Sequence, residues 1–595
     1  MGARAACLQM GLCCDILAVM VNNNEHDIKT FAIGESDFKK VITGNHYYVD
    51  KSLFIKDIID RGELILLIPR PRRFGKTLNI SMLKYFYDCC LDTLSNQPGA
   101  TNNKSLFDSL AIQDTGEKYL GKMGQYPVIF LTFKDIKEPD WETCYDKIKQ
   151  LIQDEYSHHY YLLDSKKLQP HELDYFKRII GRDGNKGDYE NSLGKLLIFL
   201  NRYYGKQVVI LIDEYDQPIH AGFNHGYYDE IINFMRNFLC AGLKDTGQYL
   251  EKGIITGVLR IAKESIFSGL NNPGVFTLLS EEFDDKFGFT ENEVEKMLKD
   301  FNVFHLYESV RSWYNGYKFG NTVIYNPWSI INFLSRKGNT PQPYWLNTSD
   351  NRLMETLLTK GGKELHEELE QLIRGKAIEK AIDEDIVLKD VGVRENLLWS
   401  FLLMGGYLRQ SDGKRDENTG KLFYSLFIPN KEVRIIYTGI IERYFTDRIE
   451  NKKLEIMLKA LIDGDIKLFE KMLRKVIAAV FSYHDFGSEP EKVYHALVAG
   501  LLVWISGTHE IKSNRESGYG RYDISIIPRD PHKIGYVIEF KTIDTEEGET
   551  VESAAESALK QIEDKKYETE LLERGIKNIK KLAIVFNGKD VTVRE

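Results

Sequence analysis

Apolar runs and segments of helical spacing alternate along the first half of the chain. Trp141 to Tyr161 and Tyr189 to Tyr204 have helical spacing and lie between the runs. Unbroken apolar runs are typical of strands buried on both faces of a parallel sheet. The pattern therefore predicts an α/β fold with short crossovers. The four runs are Leu64 to Ile68, Tyr126 to Phe133, Val208 to Ile212 and Gly253 to Leu259.

The remainder of the chain shows two further patterns. Residues 351–470 are mostly helical by spacing, and Leu422 to Val433 indicates a strand followed by a turn. A small helical or winged-helix region fits this stretch. Beyond about Val476 a strongly apolar helix, Glu491 to Gly507, precedes two predicted neighbouring strands, Gly520 to Ile527 and Gly535 to Lys541.

The length of 595 residues exceeds what one hydrophobic core supports, so several domains are expected. We predict a poorly ordered extension over 1–30, an α/β domain with a small cap over 31–350, a middle region over 351–475 and a second α/β domain over 476–595. A secretory signal is the competing interpretation of the N-terminal residues, but Asp15 interrupts the apolar stretch that a signal requires.

Composition narrows the partners. The net charge of -9 argues against a surface that coats nucleic acid or anionic membrane throughout, so any contact with a polyanion is local. Outside the N-terminal extension, no uncharged apolar run is long enough to span a bilayer, which predicts no membrane partner. The seven cysteines show no metal-binding spacing, and we expect reduced thiols in the cytoplasm.

The first candidate site follows the run that ends at Ile68. A loop leads to Gly75, Lys76 and Thr77, and helical spacing begins there. Strand, loop, Gly-Lys-Thr and helix form the layout of a phosphate-binding loop, in which the lysine reaches the outer phosphates and the threonine hydroxyl ligates magnesium. The usual spacing expects glycine at position 70, where this chain has Arg70. The predicted cofactor-binding residues of this segment are Arg73, Phe74, Gly75, Lys76, Thr77 and Leu78.

The second half of this site is predicted at the end of the run Val208 to Ile212. Asp213 and Glu214 follow it and so lie at the carboxyl end of a buried strand, where open parallel sheets bind ligands. Asp213 is predicted to hold Mg²⁺ with Thr77, and Glu214 to orient and deprotonate an attacking water. At the end of the next run, Thr256 and Arg260 are candidates to contact the outermost phosphate. A surface ion pair explains Arg260 equally well.

An aromatic segment, Trp313 to Trp328, contains Asn-Gly and Asn-Pro turn signals. Such a cluster can stack bases. Few basic residues are interleaved with it, so a small packed cap is the preferred interpretation.

A second constellation lies on the two C-terminal strands. Asp523 is on the first, and Glu539 and Lys541 alternate on the second, so their side chains share a face. Two carboxylates with a lysine beside them suit a divalent cation that activates water against a phosphodiester. Glu491 and His495, four residues apart on the preceding helix, are candidate further ligands. A surface ladder of alternating charges is the competing interpretation. Residues 471–595 contain 19 Lys plus Arg and 21 Asp plus Glu, so the basic footprint of a nucleic-acid binder is missing.

Taken together, these motifs resemble one family. RPRRFGKT, LIDEYD, TGVLRIAKESIFSGLNN, WYNGYKF, YNPWS, YWLNTS, SNRESGYGRYDI and IEFK are similar to AAA-ATPase-like proteins with a C-terminal PD-(D/E)XK nuclease-superfamily domain. The resemblance implies a P-loop NTPase sheet, a mostly helical middle region and a restriction-endonuclease-like α/β domain. It implies ATP binding at Gly75, Lys76 and Thr77, magnesium and hydrolysis roles for Asp213 and Glu214, and nuclease-type roles for Asp523, Glu539 and Lys541. Arg70 resembles part of that family's own pattern.

The resulting hypothesis is an ATP- and Mg²⁺-using nuclease that acts on DNA or RNA. Two alternatives stay open. One is a nucleotide-controlled switch whose nuclease-like domain binds a partner without cutting, and the other is a structural ATPase that acts as a homo-oligomer.

Overall fold

The computed structural model covers most of the chain. It describes residues 29–89, 103–260, 273–336, 338–345, 363–373, 375–386, 388–391, 395–411, 413–446, 451–480, 498, 501–502, 505, 507–517, 520–543, 549–587 and 590–595. The chain forms two compact units, residues 1–342 and 343–595.

The first unit is built on a five-stranded parallel sheet. Its strand order is β2-β3-β4-β1-β5, so β1 lies between β4 and the short β5. All residues of β1 and β3 are buried, as their continuous apolar runs predict. The strands are β1 (Ile65–Pro69), β2 (Val128–Thr132), β3 (Val208–Asp213), β4 (Leu250–Gly257) and β5 (Gly274–Val275).

Helices connect these strands, because parallel neighbours require crossovers. The helices up to β4 are α1 (Phe38–Thr43), α2 (Leu53–Asp60), α3 (Lys76–Tyr87), α4 (Glu117–Leu120), α5 (Trp141–His158), α6 (Pro170–Gly181), α7 (Lys186–Tyr204), α8 (Gln217–His225) and α9 (Tyr228–Leu243). Asp140 and Asn185 cap α5 and α7 by accepting hydrogen bonds from the backbone at Thr143 and Asp188.

A small cap completes the first unit. Its three-stranded antiparallel sheet has the order β6-β8-β7, and it packs with three helices. Tyr314, Tyr317 and Tyr325 of the aromatic segment are buried in it, as the packed-cap interpretation predicts. The elements are β6 (Phe289–Thr290), α10 (Glu291–Asp300), α11 (Tyr307–Tyr314), β7 (Tyr317–Phe319), β8 (Thr322–Tyr325) and α12 (Pro327–Ser335).

The second unit begins with helices and a small antiparallel sheet in which β12 pairs with β9, β10 and β11. The elements are α13 (Lys363–Ile373), β9 (Ile378–Ala381), α14 (Glu395–Met404), β10 (Arg409–Gln410), β11 (Lys414–Arg415), β12 (Leu422–Phe427) and α15 (Lys431–Thr446). The strand predicted from Leu422 is present as β12.

A mixed five-stranded sheet of order β13-β14-β15-β16-β17 ends the chain. The β15–β16 pair is parallel and the other pairs are antiparallel. The α/β character predicted for both ends of the chain is therefore confirmed. The elements are α16 (Asn451–Asp463), α17 (Ile466–Val480), β13 (His509–Ser517), β14 (Gly520–Pro528), β15 (Gly535–Thr542), α18 (Val551–Asp564), α19 (Thr569–Glu573), β16 (Ile579–Asn587) and β17 (Asp590–Arg594).

One hydrophobic core joins this sheet to the helices before it. Leu454, Phe469 and Ile477 of α16 and α17 are buried in the same cluster as Ile524 and Ile538 of the sheet. The four-part division predicted from the sequence stays a prediction, but the core that contains the C-terminal sheet reaches back before residue 476.

Among the described residues, no helix combines the length and the apolar character that crossing a bilayer requires.

Candidate functional site

The loop between β1 and α3 has the backbone geometry of a phosphate cradle. Arg73 and Gly75 have φ angles of 70° and 85°, in the left-handed region, where glycine is favoured and a non-glycine residue is strained. The Arg70 N–H donates to the Gly257 carbonyl at 2.9 Å, which fixes the start of the loop against β4.

The end of α3 that faces this loop has unsatisfied donors. No side chain caps it, and the N–H groups of Gly75 to Leu78 donate no hydrogen bond to a described residue. Free N–H groups and the positive end of the helix dipole favour an anion at this position. The residues present therefore fit a phosphate group.

Arg70, at the position where the usual spacing expects glycine, points away from this cradle. Its side chain is fully buried, and its guanidinium donates to the carbonyls of Pro69 and Phe276 at 2.8 and 2.7 Å and to those of Glu282 and Phe283 at 3.3 Å each. Burial lowers the pKa of Arg70 to about 9, so the side chain remains charged at neutral pH. Arg70 is thus a buried tie between the loop and the segment that follows β5.

Lys76 is 3% exposed and lies at the centre of the loop. Its Nζ donates to the carbonyls of Arg70 and Pro71 at 2.9 and 3.1 Å and pairs with Glu214 Oε1 at 3.1 Å. Glu214 Oε2 is buried and has no hydrogen-bond partner among the described residues. Glu214 has a φ angle of 53°, so the acidic turn after β3 is strained where its side chain meets the lysine.

Thr77 and Asp213 come together at the carboxyl ends of β1 and β3. Thr77 Oγ1 donates to Asp213 Oδ2 at 2.8 Å, and Thr256 Oγ1 donates to Asp213 Oδ1 at 2.8 Å. Burial and the charge of Glu214 raise the pKa of Asp213. A half-buried hydroxyl and a buried carboxylate at hydrogen-bond distance are oxygen ligands of the kind Mg²⁺ accepts.

The other two loop arginines contact neighbouring elements. Arg72 donates to Gln217 Oε1 at 3.0 Å, and the Arg73 guanidinium lies 4.3 Å from the ring centre of Trp328. Phe74 is buried against Tyr317 of the cap. The loop therefore contacts both the turn after β3 and the cap.

The residues predicted at the end of β4 have different surroundings. Thr256 is fully buried and bonded to Asp213, whereas Arg260 is half-buried and follows the end of the strand by three residues. The roles predicted for all of these residues stay predictions, but the structure brings the loop, Asp213, Glu214 and Thr256 to one edge of the sheet, as the strand order requires.

The C-terminal sheet brings the second set of predicted residues together. The antiparallel pairing of β14 and β15 ends at Ile524 and Ile538, and Asp523 and Glu539 are the next residue on each strand. Burial, and then the charges of Glu539 and Asp523, raise the pKa of Tyr567, so both carboxylates lie near this tyrosine. Asp523 Oδ2 accepts the Phe540 N–H at 2.8 Å, which holds this carboxylate against β15.

Gln561 of α18 links the remaining polar groups near these carboxylates. Its amide nitrogen donates to Glu539, and its amide oxygen accepts from Lys541 Nζ at 3.3 Å. Glu539 is 4% exposed, so its carboxylate is held in a largely desolvated position. Tyr567 approaches the same group, since Gln561 Nε2 also lies 3.3 Å from its hydroxyl. Two neighbouring carboxylates fit a divalent cation.

Glu491 and His495, predicted as further metal ligands, lie outside the described residues. Within the described residues, no group of three or more His, Cys, Asp or Glu side chains is arranged to hold a metal ion. Any ion bound here by the described part of the chain would thus rest on Asp523 and Glu539.

Comparison with known proteins finds family matches in two regions of the chain. Residues 32–267 match the family described as predicted AAA-ATPase, and residues 489–595 match the PD-(D/E)XK nuclease superfamily. The chain carries an AAA-ATPase-like region and a PD-(D/E)XK nuclease-superfamily region. The AAA-ATPase-like match includes the loop and the acidic turn, and the nuclease-superfamily match includes Asp523, Glu539 and Lys541.

A relative covers almost the whole chain. It is described as an uncharacterized protein in the vnfD 5′ region of Azotobacter chroococcum mcd 1, and it is 24% identical over 554 residues, which are 92% of this chain and 94% of the relative. No solved structure matches the chain significantly.

Reasoning from the sequence did not anticipate Gln217 and Trp328 as contacts of the loop arginines. These contacts join residues 145 and 255 positions apart, and no local pattern signals them. The link that Gln561 makes between Glu539 and Lys541 depends on how α18 packs on the sheet, which no local pattern shows.

Proposed function

We propose that the chain binds and hydrolyses ATP and that this reaction controls a metal-dependent nuclease that acts on nucleic acid. The arrangement of Lys76, Thr77, Asp213 and Glu214 carries the first half of the proposal. The 2.8 Å hydrogen bond between Thr77 and Asp213 joins the loop to the acidic turn in one site.

Each residue has a defined task in this proposal. The N–H groups of Gly75 to Leu78 bind phosphate oxygens, and Thr77 with Asp213 holds Mg²⁺. Mg²⁺, when bound, offsets the negative charge of the phosphates. Lys76 exchanges its contact with Glu214 for the outer phosphates, and Glu214 then accepts a proton from the attacking water. Arg260 stabilises charge that develops on the outermost phosphate.

Substitution of Lys76 tests the ATP half. We expect Lys76→Ala to weaken binding of a non-hydrolysed ATP analogue and to abolish turnover, because the buried cation aimed at the phosphates is lost. Lys84→Ala, on the same helix and outside the loop, is the matched control and is expected to retain both properties. Unchanged turnover in Lys76→Ala would remove this half of the proposal.

The second half rests on Asp523, Glu539 and Lys541 of the C-terminal sheet. In this proposal Asp523 and Glu539 would hold a divalent cation, which would polarise the phosphodiester. Lys541 is positioned two residues beyond Glu539 to offset charge on the phosphate or to orient the nucleophile. Gln561 holds Glu539 and Lys541 in place through its two amide atoms.

Cleavage of single- and double-stranded DNA and RNA with Mg²⁺ or Mn²⁺ tests the second half. Asp523→Ala is expected to abolish cleavage because the metal loses one of its two carboxylates. Asp530→Ala, in the exposed turn between the same two strands, is the matched control and is expected to cut normally. Equal cleavage by wild type and Asp523→Ala would exclude this site.

One observation favours a second candidate function, a nucleotide-controlled switch without cutting. In the described part of the C-terminal sheet no third His, Cys, Asp or Glu side chain joins Asp523 and Glu539 in a possible metal-ligand group, and the amide of Gln561 already donates to Glu539. Tight nucleotide retention with slow hydrolysis, together with no metal binding by the wild-type protein, would support the switch.

We also propose a cytoplasmic location and keep a homo-oligomer as a candidate state. Cys144 and Cys240 are free thiols among the described residues, consistent with a reducing compartment. Mass measurement with and without ATP tests whether copies of the chain associate when nucleotide binds.

A further inference from the structure

The acidic turn after β3 is hydrogen-bonded to the backbone at the end of β4 and just beyond it. The Tyr215 N–H donates to the Thr256 carbonyl at 3.1 Å, and the Tyr215 hydroxyl donates to the Leu259 carbonyl at 2.8 Å. Asp216 Oδ2 accepts from the N–H groups of Val258 and Leu259, each at 2.8 Å. Four hydrogen bonds therefore fix the segment from Thr256 to Leu259 to two residues of the turn.

Asp216 accepts its two backbone hydrogen bonds as a fully buried carboxylate. Burial alone would raise its pKa, but the hydrogen bond and charge of His220, 3.3 Å away, and the two N–H donors lower the pKa below its usual value. The group is thus ionised at neutral pH, and charge-assisted hydrogen bonds are stronger than neutral ones.

Gly257 allows the close approach. A methyl group at this position would lie 2.6 Å from Asp216 Oδ1 and 2.8 Å from the Tyr215 ring, closer than real side chains pack. The glycine lies next to Thr256, which contacts Asp213, and three residues before Arg260. The hydrogen bonds of the turn therefore fix the segment that lies between two candidate site residues, Thr256 and Arg260.

We infer that Asp216 is a positioning residue that sets the place of Arg260 relative to Asp213 and Glu214. Arg260 follows directly on Leu259, whose N–H is held by Asp216 and whose carbonyl is held by Tyr215. An arginine that stabilises developing charge acts only from a defined position, and misplacement of the order of 1 Å lowers turnover severely. This inference rests on the proposed ATP hydrolysis and adds the residue that orients its arginine.

The decisive experiment is a double-mutant cycle on turnover. Asp216→Ala is expected to lower kcat about 10-fold or more while the affinity for a non-hydrolysed ATP analogue changes about 3-fold or less. Asp216→Asn is expected to recover most of the loss, because its amide oxygen still accepts both N–H groups. In an Arg260→Ala background, Asp216→Ala is expected to change kcat about 2-fold or less. Asp216 acts through Arg260, so the losses caused by the two substitutions are not additive.

A purely structural role would give a different result. Lys252 lies on β4 as well, and its ammonium donates to the carbonyls of Arg61 and Glu63 at 2.7 Å each, away from the site. Lys252→Met removes two hydrogen bonds to backbone carbonyls, whereas Asp216→Ala removes two from backbone N–H groups and the contact with His220. Lys252→Met is expected to lower stability without lowering kcat. Equal kcat losses for Asp216→Ala in the wild-type and Arg260→Ala backgrounds would overturn the inference, as would an Arg260→Ala variant with full turnover.

Tyr215→Phe provides the milder variant if Asp216→Ala does not fold. It removes only the hydroxyl that binds Leu259, so a smaller loss of kcat is expected that again disappears in the Arg260→Ala background. An unchanged kcat or an additive loss contradicts the inference. A wild-type protein without any ATP turnover overturns the proposed hydrolysis itself, which distinguishes that failure from failure of the positioning role.

Discussion

Arg70 shows how a single position can depart from a motif without losing it. A phosphate loop needs space and free N–H groups near the phosphates, and a glycine at its start normally supplies the space. Here the side chain at that start turns into the core and bonds four carbonyls, so the cradle stays open. The sequence identifies Lys76, Thr77, Asp213 and Glu214 because their spacing to buried strands is local. Three of the four partners of Arg70 lie more than 200 residues away and are not signalled locally.

Restoring the usual glycine at position 70 should damage the protein. Arg70→Gly leaves buried carbonyls without a donor, and we expect the free energy of unfolding to fall by about 3 kcal/mol. Denaturant titration measures this change. Arg72→Ala, which removes one hydrogen bond at a half-exposed site, is the control and is expected to lose about 1 kcal/mol or less. An Arg70→Gly protein with wild-type stability and tighter ATP binding would show that Arg70 is not a structural tie.

Close packing between elements is a second level at which the fold constrains the site. Gly194 of α7 faces the backbone of α9, where a methyl group would overlap the Ala241 carbonyl oxygen. In turn, Gly242 of α9 faces Leu193 of α7. These glycines allow α7 to lie directly against α9, and α7 leads into the acidic strand β3.

We expect Gly194→Ala to lower the free energy of unfolding by about 1 to 3 kcal/mol, because the added methyl forces the helices apart. Gly187→Ala, in the first turn of the same helix, meets only the Asn185 side chain at 3.2 Å and should stay within about 1 kcal/mol of wild type. Thermal or denaturant unfolding of the two variants measures the contrast. Equal stability of the variants would contradict the packing account.

The elements were predictable to the extent that their patterns are local. The continuous apolar runs gave β1, β2 and β3, and the two C-terminal strands with their antiparallel pairing follow from alternation around one turn. The short β5 was missed, because its two residues pair with β1 from a segment without a strand pattern. The packing of α16 and α17 into the C-terminal core was also missed, because the apolar face of an amphipathic helix does not show which element it packs against.

At the scale of the whole molecule, a buried histidine in the second unit makes the free energy of unfolding depend on pH. His509 is buried at the start of β13, where Thr508 Oγ1 lies 2.8 Å from its Nδ1. Burial first and then the charge of Lys533 lower the pKa of His509 from its ordinary value of 6.5. Unfolding raises the pKa, so the unfolded chain binds the proton more readily, and this contribution to stability is present above pH 6.5 and is lost as pH falls.

We expect His509→Gln to remove this pH dependence, because glutamine retains a hydrogen-bonding group that does not titrate. The difference in Tm between wild type and His509→Gln should move against the wild type as pH is lowered from about 8 to about 5. A difference that is independent of pH would show that His509 is not held neutral in the fold.

At the same scale, the central claim is that one chain contains a nucleotide site and a metal-dependent cutting site that depend on each other. The residues of the first candidate site lie at the carboxyl ends of strands, and those of the second lie on neighbouring strands of the C-terminal sheet, as the sequence predicts. The proposed communication between the two is a property that no motif encodes.

The most direct test is a nuclease assay with Mg²⁺ or Mn²⁺ on DNA and RNA, run with and without ATP on wild type, Lys76→Ala and Asp523→Ala. The account predicts cleavage by the wild type that responds to ATP, cleavage by Lys76→Ala that does not respond to ATP, and no cleavage by Asp523→Ala. Cleavage by Asp523→Ala equal to wild type, or an identical ATP response in Lys76→Ala, would contradict it.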